Sequence, residues 1–146
     1  MLKRKTMLLF SIVFIITSLR VSVQAQSNLL FNDVTQQLVI RPNFTYIWIF
    51  QTGFDISSTG KASVNVYLTA QNVDSVKVEA SLQQYKNGAW TTIKSWSNTE
   101  TGTNAGLAGT YYVAKGYSYR VVSCGSVFKS GNLVEITSYT SNSKTY

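Results

Sequence analysis

SVKVEASLQQYKNGAWTTIKSWS, residues 75–97, is the stretch on which the reading of the whole chain turns. In its first half Val76, Val78, Ala80 and Leu82 alternate with Lys77, Glu79, Ser81 and Gln83. A period of two gives a strand one apolar and one polar face. Asn87-Gly88 follows, and both residue types tolerate the positive φ that a type I′ turn demands at its centre. A turn of that length fixes register, so the hairpin is expected to pair Lys86 with Ala89, Tyr85 with Trp90, Leu82 with Ile93 and Glu79 with Trp96. In that register Val78, Ala80 and Leu82 face inward against Thr91, Ile93 and Ser95. The outer face then gathers Tyr85, Trp90 and Trp96 beside Glu79, Gln83 and Lys94.

The same punctuation extends in both directions. Phe44 to Ile56 (FTYIWIFQTGFDI) reads as a long strand, apolar on both faces at its start, which places Trp48 in the core. Ser57 to Gly60 is a turn. Ala62, Val64, Val66, Leu68 and Ala70 then alternate with Ser63, Asn65, Tyr67 and Thr69 in a half-buried strand. Beyond the hairpin, 98–109 (NTETGTNAGLAG) reads as a polar loop. Thr110–Ala114 and Tyr117–Cys124 read as a second hairpin about Lys115-Gly116, and a last strand includes Val134 and Ile136. The polar tail from Ser138 to Tyr146 either frays or lies along an edge. About seven strands and no helix predict an all-β domain, an antiparallel β-sandwich that is loosely immunoglobulin-like. Gly116-x-x-Tyr119-x-Val121 has the form of a tyrosine corner, without the cysteine pair of antibody domains.

Ahead of this domain stands a different kind of sequence. Lys3, Arg4 and Lys5 precede an apolar run from Met7 to Ile16, and Val23-Gln24-Ala25 places small residues at the −3 and −1 positions. That is the pattern of a secretory signal peptide, 1–25, cleaved between Ala25 and Gln26. The apolar run is half the ~20 residues that a spanning helix needs, so no stable membrane anchor is expected after cleavage. Residues 26–41 form a lead-in that Pro42 closes, and 42–146 form the sandwich. Of the chain's net +7, Lys3, Arg4, Lys5 and Arg20 lie in the leader, which leaves 9 basic and 6 acidic residues, scattered. No stripe suits a phosphate backbone, and nucleic acid is not an expected partner. Cys124 is the only cysteine, so the domain folds without an intrachain disulfide.

Catalytic equipment is scarce. The chain has 0 histidines. Nucleophile systems that need an imidazole base, and tetrahedral N/S zinc sites, therefore lack their residues. Asp33, Asp55, Asp74, Glu79, Glu100 and Glu135 carry no spacing that pairs any two of them for glycoside hydrolysis, and Asp55 and Asp74 sit where strands end, as turn residues do. Gly102 to Gly109 leads into no helix and so makes no phosphate cradle. Cys124 falls opposite in phase to Tyr117, Tyr119 and Val121 and reads as a small structural thiol. No catalytic residue, metal or cofactor is expected. The group that carries weight is Tyr85, Trp90 and Trp96, a possible ligand platform, because flat aromatics on a sheet offer apolar area at low entropy cost. The bland explanation is that a Tyr–Trp cross-strand pair stabilises a hairpin by ~0.2–1 kcal/mol with no ligand at all.

Two segments, VKVEASLQQYKNGAWTTIKSWS (76–97) and GTYYVAKGYSYRVVSCGSVF with VEITSYTSNSKTY (between 109 and 146), resemble a family of small secreted proteins of Gram-positive bacteria that is labelled only as a domain of unknown function. The resemblance covers about residues 42–146 and implies a secreted sandwich-like module. It implies no activity, and no functional residue is carried over. The expectation is a non-enzymatic binding or adhesion module at or near the cell surface, its partner a cell-wall glycan or an extracellular protein. The alternatives are a small secreted hydrolase or enzyme inhibitor, and a self-associating extracellular structural protein.

Overall fold

The structure, a computed structural model, describes residues 36–39 by their backbone and residues 44–146 throughout. The leader, its cleavage site, Pro42 and most of the lead-in lie outside the described residues. Every element described is a strand: β1 (Gln36–Val39), β2 (Ile47–Ile56), β3 (Lys61–Ala70), β4 (Ser75–Lys86), β5 (Ala89–Thr101), β6 (Asn104–Tyr112), β7 (Ser118–Lys129), β8 (Asn132–Thr140) and β9 (Lys144–Thr145). They form two antiparallel sheets, β1-β2-β3-β6 and β5-β4-β7-β8, with β9 also on β7. Counting β2, β3, β4, β6, β7 and β8 as A, B, C, E, F and G, with β5 as C′, the order is A-B-E against C′-C-F-G. That is an immunoglobulin-type β-sandwich, as the strand spacing predicts.

The core lies between the sheets and is built from the alternating residues. Ala62, Val64, Val66, Leu68 and Ala70 of β3 are all buried and face Val76, Val78, Ala80 and Leu82 of β4 and Tyr119, Val121 and Val127 of β7. Gly125 marks a close approach of the sheets. A Cβ there would lie 2.2 Å from Leu68 Cδ1 and 2.9 Å from Phe50 Cε2, so only hydrogen fits. Within the core a buried polar pair bridges the layers, Thr52 Oγ1 to Ser123 Oγ at 2.6 Å.

Four expectations need correction. The stretch 98–109 is not a loop: β5 runs to Thr101, Gly102 (φ 97°) turns the chain, and β6 begins at Asn104. Its polar residues are polar because they face solvent on sheet-edge strands, and burial rather than composition separates strand from loop here. Nor do Thr110–Ala114 and Tyr117–Cys124 pair with each other. β6 pairs β3, whereas β7 pairs β4 and β8, so Lys115-Gly116 carries the chain from one sheet to the other. Trp48 is 61% exposed, not core. Ile47 opposes Ala70 and Ile49 opposes Thr69, so Trp48 is an extra residue in a bulge that turns Ile47 inward and the indole out. Finally, the Ser75–Ser97 hairpin keeps its turn and its first pairs, Lys86↔Ala89 and Tyr85↔Trp90, but loses register at Leu82/Gln83. Beyond that bulge Leu82 opposes Lys94, not Ile93, and Glu79 opposes Ser97, not Trp96. Ile93 still packs toward the core, but Thr91 and Ser95, expected on the inner face, are exposed.

The tyrosine corner forms at the crossing from β6 to β7. Tyr119 is fully buried, and its hydroxyl donates to the Ala114 carbonyl at 2.7 Å and accepts from Gln84 Nε2 at 3.0 Å. The tail lies along an edge: β8 reaches Thr140, and Lys144–Thr145 then pairs with Tyr119 and Ser118.

Candidate functional site

Register decides what the three aromatics of the hairpin can do. Tyr85 and Trp90 are opposite each other on the outer face, ring centroids 5.2 Å apart and tilted by 52°. The bulge shifts the strand by one residue, so Trp96 opposes buried Ala80 and points the other way, into the space between the sheets. There it lies against Gly109, where a Cβ would come within 2.5 Å of the indole. The structure therefore brings Tyr85 and Trp90 together and removes Trp96 from their face. Trp96 instead packs between β5 and β6, the end strands of the two sheets, away from the turn at Gly102.

The Trp90 ring is also covered. The Arg120 guanidinium sits 4.3 Å from its centroid, and Arg120 Nε donates to Gln83 Oε1 at 2.8 Å. Gln83 opposes both Arg120 and Thr92, so the stack spans β5, β4 and β7. This cation–π contact uses the indole face that a ligand would need. Tyr85, 44% exposed, is the part of the expected platform that remains open.

Several other cations are used inside the fold in the same way. Lys86 lies over Tyr117, Lys115 over Tyr146 and Lys129 over Tyr46, at 5.6–5.8 Å. Lys77 pairs with Glu79 at 2.7 Å and Lys144 with Asp55 at 2.6 Å. The carboxylates are equally engaged. Asp74 accepts from the Ser130 amide and ties down the β7–β8 turn. Glu135, on β8, accepts from the amides of Thr45, Tyr46 and Ile47 at 2.9, 3.0 and 2.8 Å and clasps the start of β2 to the opposite sheet. Nothing in the sequence singled Glu135 out, because its partners are some ninety residues away. Among the described residues no three of His, Cys, Asp or Glu gather to hold a metal. Cys124 is half-buried on the outer face of β7, and Ser138 opposes it.

A second surface was not singled out by the hairpin reading. On the outer face of the β2-β3-β6 sheet, Gln51, Asn65 and Tyr67 rise around Gly53, Gly106 and Ala108, enclosing an open trough of about 420 Å³. The signal for it was present in the sequence, since Asn65 and Tyr67 occupy the outward positions of the cleanest alternating strand. Recognising the trough further required knowing that β6 lies beside β3.

Fold and surface together define an immunoglobulin-type β-sandwich whose aromatic and amide side chains stand on the outer sheet faces. Comparison with protein-family models, with curated proteins and with solved structures returns no match for this chain.

Proposed function

We propose that this chain is a secreted, non-enzymatic binding module that works at or near the surface of a Gram-positive cell, through side chains on its sheet faces. The observation that carries this reading is the placement of its large aromatics: Trp48, Tyr67, Tyr85 and Tyr112 are 61, 43, 44 and 70% exposed on a domain that has a complete core without them. Exposed tyrosine and tryptophan combine an apolar body with a polar tip, and they lose little entropy on binding. The leader sequence and the absence of histidine support the same reading. The test has two parts. Expression of the full chain in a Gram-positive host is expected to yield medium protein whose intact mass begins at Gln26. That protein is expected to sediment with isolated cell walls; recovery entirely in the supernatant removes the binding reading, and Met1 retained in the medium protein removes the leader.

A second reading, self-association, is favoured by one observation. Leu133, Val134 and Ile136 of the edge strand β8 are 53, 37 and 55% exposed. Among the described residues that edge of β8 has no strand partner, and apolar side chains on such an edge are a template for pairing with a second copy.

A further inference from the structure

Cross-strand register assembles the trough from two rows. Gln51, Tyr67 and Gly106 are mutually opposite in one, Gly53, Asn65 and Ala108 in the next. Three strands and two rows span roughly 10 Å by 7 Å at ordinary sheet spacings. Tyr67 and Asn65 stand at the centre on β3, with Gly106 and Ala108 on the β6 side and Gln51 and Gly53 on the β2 side, so toward β6 Tyr67 stands beside nearly bare backbone.

Gly106 is the residue that requires explanation. Of the eight glycines whose surroundings are described, Gly60, Gly88, Gly102, Gly116 and Gly131 have positive φ, and Gly109 and Gly125 abut side chains that a Cβ would strike. Gly106 has neither reason. Its backbone is ordinary strand, and a Cβ would meet only Tyr67 Cδ2, at a comfortable 3.8 Å. Glycine inside a strand costs stability, and it marks places where something approaches the backbone closely. Among the described residues, only the edge of the Tyr67 ring, from the cross-strand partner, borders that spot.

We infer that the trough is a binding site for a neutral oligosaccharide, with one pyranose ring stacked on Tyr67 above Gly106. This rests on the binding-module reading and gives it a ligand class and a location. A pyranose has a face of C–H groups and a rim of hydroxyls that both donate and accept. Tyr67 supplies the flat partner for the first, and the Gln51 and Asn65 amides supply a donor and an acceptor each for the second. Among the described residues no charged side chain lines the trough, and the nearest row carries Asp55 already paired with Lys144. That arrangement disfavours a charged ligand, which would lose its hydration without gaining a partner. An extended peptide is disfavoured too. It would bind by pairing with free backbone, whereas the β2–β3 and β3–β6 ladders beneath the trough are already paired and on the outer edge of β6 the Gly106 carbonyl accepts from Asn98 Nδ2. A second depression of about 410 Å³ shares Gly106 and Ala108 and continues across β6 to Ser97 and Asn98, so the surface accommodates a chain of rings.

The test uses protein expressed from the full chain, in the form its host yields. Binding of N-acetylglucosamine tetramer, cellotetraose and tetragalacturonate is measured by calorimetry and by amide chemical shifts. At least one of the two neutral tetramers is expected to bind, with shifts centred on Gly53, Gly106 and Ala108. Tyr67→Ala and Gly106→Val are each expected to weaken it at least about tenfold, as the loss of one stacking face and its hydrogen bonds implies. Gly106→Val should melt at or above the wild-type temperature, because valine suits a strand better than glycine. If that variant fails to fold, Asn65→Ala takes its place. Binding unchanged in the variants, or binding of tetragalacturonate alone, overturns the inference. So does failure of all three sugars; when the same preparation still sediments with cell walls, the trough falls and the binding module stands.

Discussion

Tyr119 shows how much one hydroxyl can organise. Its phenol is fully buried and holds the Ala114 carbonyl at the point where the chain leaves one sheet for the other. Tyr119→Phe is expected to cost about 1 kcal/mol in urea unfolding with an unchanged m-value, since the part-buried bonds to the Ala114 carbonyl and from Gln84 are lost while the ring remains. Thr137 is the opposite case: its Oγ1 is buried and finds no partner among the described residues. Thr137→Val keeps the shape, removes the unsatisfied hydroxyl and should raise stability by about 1 kcal/mol by the same measurement. Glu135 holds backbone amides, so its loss should be read locally. Glu135→Ala is expected to speed amide exchange at Tyr46 and Ile47 well beyond the change in global stability, and a uniform change across the sheet would contradict the clasp. Of these residues, only Tyr119 was legible in the sequence, because its motif is local. Glu135 and Thr137 act on, or lack, partners far away in the chain.

At the level of elements, the hairpin from Ser75 to Ser97 shows where local reading succeeds and where it stops. Asn87 and Gly88 both take positive φ, 53° and 80°, and the pairs beside them follow from the turn. The bulge at Leu82/Gln83 then reverses every later side chain of β5, which no turn rule could supply. Its consequence is testable in the two tryptophans. Trp96→Ala opens a hole between the sheets against Gly109 and is expected to cost about 2–4 kcal/mol, toward the range for aromatic truncation in a core. Trp90→Ala removes a surface stack and should cost about 1 kcal/mol, with a coupling of roughly 0.5–1 kcal/mol to Arg120→Ala in a double-mutant cycle. Equal losses at the two sites would mean that the indoles share a face after all. The crossing at Lys115-Gly116 was misread for a related reason. Two alternating segments about a turn look the same in sequence whether they pair with each other or with strands of two different sheets.

For the whole molecule, edges and faces decide what the sandwich can meet. The sandwich has no disulfide to close it, and β8 presents Leu133, Val134 and Ile136 along an open side. If self-association is its use, light scattering should show mass growing with concentration, and Ile136→Lys should hold the protein monomeric, since a charge on an edge strand blocks pairing. A wild-type chain that stays monomeric at high concentration removes that reading and leaves the sheet faces as the working surface. Tyr67 and the trough around it belong to this scale, because their rows combine residues from β2, β3 and β6, from Gln51 to Gly106 and from Gly53 to Ala108.

By itself the sequence determined what depends on neighbours along the chain: the all-β class, the inner faces of β3 and β4, the Asn87-Gly88 turn and the corner tyrosine. Each follows from alternation or from local backbone preference, and both are written in consecutive residues. Tertiary structure alone decided which strands lie side by side, where the bulges fall, and so which aromatics face water. A shift of one residue reverses a face at almost no cost in local energy. Only the packing of two sheets against each other discriminates between the alternatives, and it turns Trp96 inward and leaves Tyr67 exposed beside Gly106.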